Sequence, residues 1–282
     1  MFKPDSKFYE KYSTNKQKKK YGYIGKATLK SDKKGHKHYF YTKDHVRSAS
    51  SKKFRRLREV CKRINDIRRM YVKMMKTGIN TQSRKQKAES LRTRLLGAYL
   101  MIADKCLLRP GSIKFKKKNN TIGFTTFEPR HVSFGCSGSK KCNCVTIKYI
   151  GKNNIKNECK LCDDKFYENM KLFVSNDSDP TNEKLLGRKR DYLSKLLNKE
   201  SYVGTDKYIF VKDLRTYGAN VEFLKQYNKL DPAVWKFLKE KGSGSLMYHL
   251  ARPVSKRLFN ETRVTLSHYI HPRVKRFALT NR

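Results

Sequence analysis

Four residues sit where they could act together on a phosphodiester. Arg109 lies in LLRPGS, where a helical pattern ends at Pro and Gly, and Lys152 lies in GKNN between two strand-like runs. Arg215 lies in KDLRTYGAN at a helix start, and Tyr269 lies in LSHYIHP close to the C-terminus. A tyrosine hydroxyl can attack phosphorus when the charge on the non-bridging oxygens is neutralised and the leaving oxygen is protonated. The planar, always-charged arginine fork suits the first task. An amine held among other cations, its pKa lowered, suits the second. Taken singly, each residue has an ordinary reading. A lysine at a hairpin tip is usually solvated, and the chain has 17 tyrosines.

The charge balance indicates what such a group would act on. The 282 residues include 67 Lys and Arg against 24 Asp and Glu, a formal charge of +43. Such an excess repels itself unless a polyanion is near, which excludes most ordinary metabolic enzymes. Nucleic acid is the leading partner, because each cation placed on a phosphate releases a counterion. An anionic membrane is the competitor, but no apolar run approaches the roughly 18–20 residues of a spanning helix. The segment MFKPDSKFYEKYSTNKQKKK has no apolar centre of the kind a secretory leader needs. Hydrophobic residues at 37% and aromatics at 12% can supply a core and argue against a wholly disordered basic tail.

The elements that must carry the four residues can be read from periodicity. Residues 1–20 read as a lysine-rich arm or a solubilising tail. YGYIGKATL and HKHYFY flank a Gly-containing turn and predict a hairpin. SASS at 48–51 breaks the pattern and marks the expected domain boundary. Phe54, Leu57, Cys61, Ile64, Tyr71 and Met74 then recur at helical spacing, as do Ala88, Leu91, Leu95, Ala98, Ile102 and Cys106. Arg55, Arg56, Arg58, Lys62, Arg63, Arg68 and Arg69 crowd the other face of the first helix, a candidate DNA-facing side. TIGFTTF (121–127), HVSFG (131–135), VTIKYI (145–150) and IKNECKL (155–161) read as strands, the last two closing a tight hairpin on GKNN. Beyond Asp164 the pattern is helical, with helices expected over 181–198, 214–227 and 246–259 and a turn or hinge at GSGS (242–245).

Five segments, in order, resemble the poxvirus-type DNA topoisomerases of class IB, found in poxviruses, other large DNA viruses and some bacteria. They are SDKKGHKHYFYTKDHV, RPGS with NNTIGFTTFEPRHV, VTIKYIGKNN, KDLRTYGAN and FNETRVTLSHYIHPRV. The resemblance implies an α+β architecture. A small β-rich N-terminal domain (1–50) and a mostly helical tyrosine-recombinase/topoisomerase IB catalytic domain with a β-hairpin layer (51–282) would clamp duplex DNA. It implies that Tyr269 forms a 3′-phosphotyrosyl ester, that Arg109 and Arg215 bind the non-bridging oxygens, and that Lys152 protonates the 5′ oxygen. Asn260 stands nine residues before Tyr269, where poxvirus members have His and bacterial ones also use Asn. It would donate a neutral hydrogen bond to a phosphate oxygen, its alternative role being a turn or N-cap. Neither metal nor ATP is implied. The implied protein is a monomer that relaxes supercoils inside the cell at DNA, and, if viral, in the virion or at the viral replication site. A tyrosine recombinase shares the core, but usually has HxxR where this chain has Lys212 and Arg215.

Further residues are expected at the DNA. Period 2 along YFYTKDHV puts Tyr39, Tyr41 and Lys43 on one strand face, suited to sugar–phosphate and base-edge contacts. The resemblance adds His45 to the N-terminal DNA face, together with Lys114, Phe115 and Lys212. The seven cysteines are expected to be reduced thiols. Cys136, Cys142, Cys144, Cys159 and Cys162 flank the lysine hairpin, where four thiolates could hold a structural zinc, although C-x5-C-x-C is not a familiar zinc spacing.

Overall fold

The computed structural model describes residues 11–12, 23–28, 37–79, 82–112, 116, 121–135, 143–175, 189–198 and 208–281. The chain divides into two compact units, Met1–Arg55 and Arg56–Arg282.

In the first unit, β1 (Lys11–Tyr12), β2 (Tyr23–Thr28) and β3 (Lys37–Tyr41) form an antiparallel sheet in that order. The β2–β3 pair is the expected hairpin, and a register shift falls between Tyr23 and Gly25. Lys11 and Tyr12, expected in an arm, instead pair with Lys26 and Gly25. The strand ends at Tyr41 because Thr42 starts a helix: its Oγ1 accepts the His45 N–H at 3.2 Å, an N-cap bond. That helix, α1 (Lys43–Met75), runs straight through SASS. SASS does not interrupt the secondary structure, because Ser in a helix interior costs only about 0.5 kcal/mol relative to Ala, and no Gly or Pro is present to stop propagation. The two compact units divide inside this helix.

In the second unit α1 buries Val60, Ile64, Ile67, Tyr71 and Met75 against α2 (Arg84–Lys105), whose N-terminus Ser83 caps. Arg68 donates two hydrogen bonds to the buried Asp104, at 3.0 and 3.2 Å, and the Tyr71 hydroxyl a third at 3.1 Å. The basic face of α1 is therefore not all free for DNA. Arg56 pairs with Asp213 and Arg63 donates to the Leu197 carbonyl.

A second antiparallel sheet comes next, β4 (Val132–Gly135), β5 (Cys144–Ile150) and β6 (Lys156–Cys162). Val145, Ile147 and Tyr149 alternate inward along β5. The expected strand at 121–127 is a turn instead, closed by a Thr126 N–H bond to the Gly123 carbonyl. Helices complete the unit: α3 (Asp164–Ser175), α4 (Lys189–Leu196), α5 (Val211–Lys229), α6 (Pro232–Glu240), α7 (Ser243–Arg257), α8 (Thr262–His268) and α9 (Pro272–Thr280). GSGS is not a hinge: Gly242, at φ 111°, caps α7 and the other three residues are its first turn. The apolar interior forms two clusters. One packs α1 to α4 on the sheet, and the other packs α5 to α9. Helix α5 joins them, with Leu214 in the first and Ala219 and Phe223 in the second.

The cysteine expectation is corrected. Cys144 and Cys162 form one disulfide and Cys106 and Cys159 another, with Cα–Cα distances of 4.0 and 5.6 Å; Cys61 is a free thiol. The β5–β6 register sets Cys144 directly opposite Cys162, and the Cys106–Cys159 bond ties the end of α2 to β6. Three of the five suggested zinc ligands are thereby used up, and among the described residues no cluster of three or more His, Cys, Asp or Glu could hold a metal. Cys136 and Cys142 lie outside the described residues.

Candidate active site

Arg215 organises the site. Its helix starts at Phe210, whose N–H donates to Asp213 Oδ2 at 3.0 Å, the same oxygen that Arg56 holds at 2.9 Å. One turn on, Arg215 is 3% exposed and each side of its guanidinium takes a different chain segment. Nη1 donates to the Leu107 carbonyl, Nη2 to the Leu258 carbonyl, and Nε to the Tyr269 hydroxyl at 3.3 Å. The guanidinium carbon also lies 5.2 Å from the centre of the Tyr269 ring. Burial lowers its pKa from the usual arginine value while Tyr269 opposes the shift; arginine remains charged near neutrality even so.

Both of these carbonyls sit at chain reversals. Leu107 and Phe259 have φ of 52° and 47°, each just past the cap of α2 or α7. A left-handed non-glycine residue costs about 1–3 kcal/mol and persists where its surroundings over-determine it. The reversals lead the chain off the helices to Arg109 and Asn260, which meet: Arg109 Nη2 donates to Asn260 Oδ1 at 3.0 Å. Arginine has only donors, so this bond fixes the amide with Nδ2 turned away from Arg109. That Nδ2 is buried and has no hydrogen-bond partner.

Tyr269 is set at the C-cap of α8, its N–H on the Thr265 carbonyl at 2.9 Å. Asn220, five residues after Arg215, grips the same segment: its amide donates to the Tyr269 carbonyl and accepts from His271 N–H, both at 2.8 Å. Sequence reasoning passed over Asn220. The available signal was a polar residue between Ala219 and Phe223 on the buried face of α5.

Lys152 opens a short 3-10 turn, Lys152–Asn154, at the tip of the β5–β6 hairpin, and is exposed there. Asn154 takes a φ of 60°, and a Cβ on Gly151 would come 2.3 Å from Asn157 Nδ2, so the Asn157 amide would have to move. The turn at 121–126 spans from this hairpin to Arg109. Ile122 N–H bonds the Ile150 carbonyl at 3.2 Å, and Phe124 N–H bonds the Arg109 carbonyl at 2.9 Å. Thr125 Oγ1 accepts from Gly111 N–H at 2.8 Å. A Cβ on Gly123 would lie 2.4 Å from Gly111 N and 2.6 Å from the Arg109 carbonyl oxygen. Backbone against backbone cannot give way as a side chain can. Gly123→Ala is therefore expected to lower stability by about 1–3 kcal/mol. Thermal melting reads that change.

The structure thus forms two hydrogen-bonded pairs, Arg109 with Asn260 and Arg215 with Tyr269, and ties them through the Leu107 and Leu258 carbonyls that Arg215 holds, each two residues before a member of the other pair; Lys152 stands on the hairpin tip. Tyr41 is 44% exposed and stacks on His45, ring centres 5.1 Å apart. Lys43 is not on the strand face expected for it, because it is the first residue of α1. Tyr39 pairs with Lys26 in β3. Lys212 is exposed on α5, its ammonium 5.2 Å from the Phe210 ring centre. Lys114 and Phe115 lie outside the described residues.

Residues 42–265 match the family described as eukaryotic DNA topoisomerase I, catalytic core. The chain belongs to this topoisomerase family. Three of its viral relatives are named DNA topoisomerases. "DNA topoisomerase 1B" of vaccinia virus (strain Copenhagen) is 28% identical over 201 residues, covering 70% of this chain and 55% of the relative. "DNA topoisomerase I" of monkeypox virus matches to the same extent. "DNA topoisomerase 1B" of Acanthamoeba polyphaga mimivirus is 23% identical over 206 residues, 69% of this chain and 55% of the relative. The chain spans about half the length of these curated relatives. Within this topoisomerase-family chain the match takes in Arg109, Lys152, Arg215 and Asn260 and stops at residue 265, ahead of Tyr269. Electrostatics set these arginines apart from others in the chain. Arg56, Arg68 and Arg257 pair with Asp213, Asp104 and Glu222. Among the described residues no carboxylate pairs with Arg109 or Arg215.

Proposed function

We propose that the protein is a type IB DNA topoisomerase that relaxes supercoiled duplex DNA by transient cleavage of one strand. The observation that carries this reading is the buried Arg215, which holds the Tyr269 hydroxyl and the backbone leading to the Arg109–Asn260 pair, with no carboxylate among the described residues to balance either arginine. Two guanidiniums without a carboxylate partner among the described residues and the unpartnered Asn260 Nδ2 make a positive, donor-rich cluster that suits a phosphoryl group carrying extra charge. Tyr269 Oη attacks phosphorus and releases its proton to solvent. The P–O5′ bond breaks as Lys152 gives its proton to the departing oxygen. The products are a 3′-phosphotyrosyl ester and a free 5′-hydroxyl. Rotation of the cut strand about the intact one removes supercoils, and attack by the 5′-hydroxyl restores the backbone. The ester keeps the bond energy, so the cycle draws on neither ATP nor a metal.

In this reading an N-terminal domain of about 50 residues and the catalytic domain after it close on DNA as a monomeric clamp. Tyr39, Tyr41, Lys43, His45, Lys114, Phe115 and Lys212 contact the duplex, and the protein works where DNA is replicated or packaged. The test is plasmid relaxation with EDTA and without ATP. Relaxation by a monomer supports the reading. Strand exchange that requires a synaptic tetramer would instead mark a recombinase.

Charge gives a second expected outcome. With six to ten phosphate contacts, affinity should fall by roughly 10³–10⁵ between 50 and 200 mM salt. Single-turnover cleavage of pre-bound DNA should change far less, as enclosed charges are poorly screened. Binding and cleavage measured across one salt series separate the two. A flat binding curve would place the excess charge away from the DNA.

A further inference from the structure

The two disulfides both grip the strand pair that carries Lys152. Cys144–Cys162 closes the hairpin across its base, within the sheet. Cys106–Cys159 does something different, because its cysteines belong to separate parts of the second unit, 53 residues apart. Cys106 caps α2, and Leu107, whose carbonyl Arg215 holds, comes directly after it; Arg109 is two residues further. Cys159 lies in β6, paired with Ile147. The Arg109 segment and the hairpin are thus joined at two points. One is the hydrogen-bonded turn at 121–126, near the tip. The other is this covalent bond, nearer the base. The hairpin is also held by β4 along β5 and by the burial of Val145, Ile147 and Tyr149. The disulfide adds a covalent tie on β6, and without it only non-covalent contacts fix the distance from the strand that leads to Lys152 to the Arg109 segment.

We propose that the Cys106–Cys159 disulfide positions Lys152 relative to the arginine cluster, so that cleavage depends on its oxidation. The proposal rests on the topoisomerase reading and deepens it. The bond is open to exchange chemistry. Both cysteines line a groove of the second unit whose other walls include Lys105, Lys160, Lys256 and Arg257, with Glu158 as its acidic residue. Lys105 is paired with Asp104 and Arg257 with Glu222, and the further lysines of the groove favour the thiolate, the form that reacts. They also favour an anionic thiol such as glutathione. In the oxidising direction the thiolate of one cysteine attacks oxidised glutathione, expelling one glutathione thiolate and forming a mixed disulfide. The second thiolate attacks the protein sulfur of that bond, expelling the other glutathione. The protein pair loses two electrons, the glutathione disulfide gains them, and the two cysteine protons end on the two glutathione thiols. Dithiothreitol reverses the process.

The test compares single-turnover cleavage by the full chain after incubation with oxidised glutathione or with dithiothreitol, thiols being counted by alkylation and mass spectrometry. Two duplexes are used, one normal and one with sulfur replacing the 5′-bridging oxygen. Sulfur leaves without a proton, so it bypasses the general acid. A small misplacement of a catalytic group costs about 10- to 100-fold, so reduction should slow cleavage of the normal duplex by about that factor and leave the sulfur duplex little changed. Cys159→Ser should behave as the reduced protein in both buffers, and the double variant Cys144→Ser/Cys162→Ser should keep its response to dithiothreitol. Equal rates in the two buffers would overturn the proposal. So would equal slowing on both duplexes, which would report general loosening, and so would loss of the response in the double variant. Failure of the oxidised protein to form any covalent adduct would overturn the functional reading, and the proposal with it.

Discussion

Tyr269→Phe should abolish covalent trapping of DNA and reduce relaxation by at least about 10⁴-fold, since loss of a nucleophile is not made good by the groups around it. Duplex binding should stay nearly intact. Phenylalanine keeps the ring beside the Arg215 guanidinium and keeps the backbone bond to Asn220, while it loses the 3.3 Å hydrogen bond from Arg215 Nε. That loss is worth about 1 kcal/mol, so the variant should melt close to the parent protein. A denaturant-resistant adduct formed by the Phe variant would show that another residue attacks phosphorus.

The second large effect belongs to Lys152→Ala. General acid catalysis contributes about 10²–10⁴-fold, and the loss should appear on normal DNA. The sulfur-bridged duplex should be cleaved at nearly the parent rate. Lys152 is exposed at the hairpin tip, so truncation removes no packing, and melting should be unchanged. Equal damage on both duplexes would mean that the lysine holds DNA in place rather than delivering a proton. The contrast with reduction of Cys106–Cys159 is informative. One change deletes the acid and the other leaves it present but loosely held, so the mutation should slow the normal duplex at least as much as the thiol does.

Much of the scaffold was legible because it rests on short-range rules. The GKNN hairpin comes from turn chemistry, and its register placed Cys144 near Cys162. The apolar stripes of α1 and α2 come from periodicity. Other features needed the folded context. TIGFTT is rich in residues that favour strands, yet it is a turn, since Gly123 lies against the backbone of Arg109 and Gly111, and its one bond to β5 is not extended into a ladder among the described residues. The basic residues of α1 could not be sorted from sequence into exposed ones and those bound internally, because Asp104, Asp213 and Leu197 arrive from distant elements. The four catalytic candidates were found as residue types in order along the chain. Their common tie, Arg215 on the carbonyls of two left-handed chain reversals, is a tertiary fact with no local signature. The same holds for Cys106 meeting Cys159. Helical periodicity gave Cys106 only a place in a stripe, and its partner lies on a strand of another layer.

The most direct measurement of the central claim is the identity of the DNA-linked residue. A duplex is incubated with the protein in EDTA without ATP and the reaction is stopped with denaturant. The adduct is then digested with protease and nuclease and sequenced by mass spectrometry. The account predicts one modified peptide, with Tyr269 bearing a nucleotide through its 3′-phosphate, and a free 5′-hydroxyl on the released strand. A nucleotide on any other residue, or a linkage through a 5′-phosphate, would contradict it.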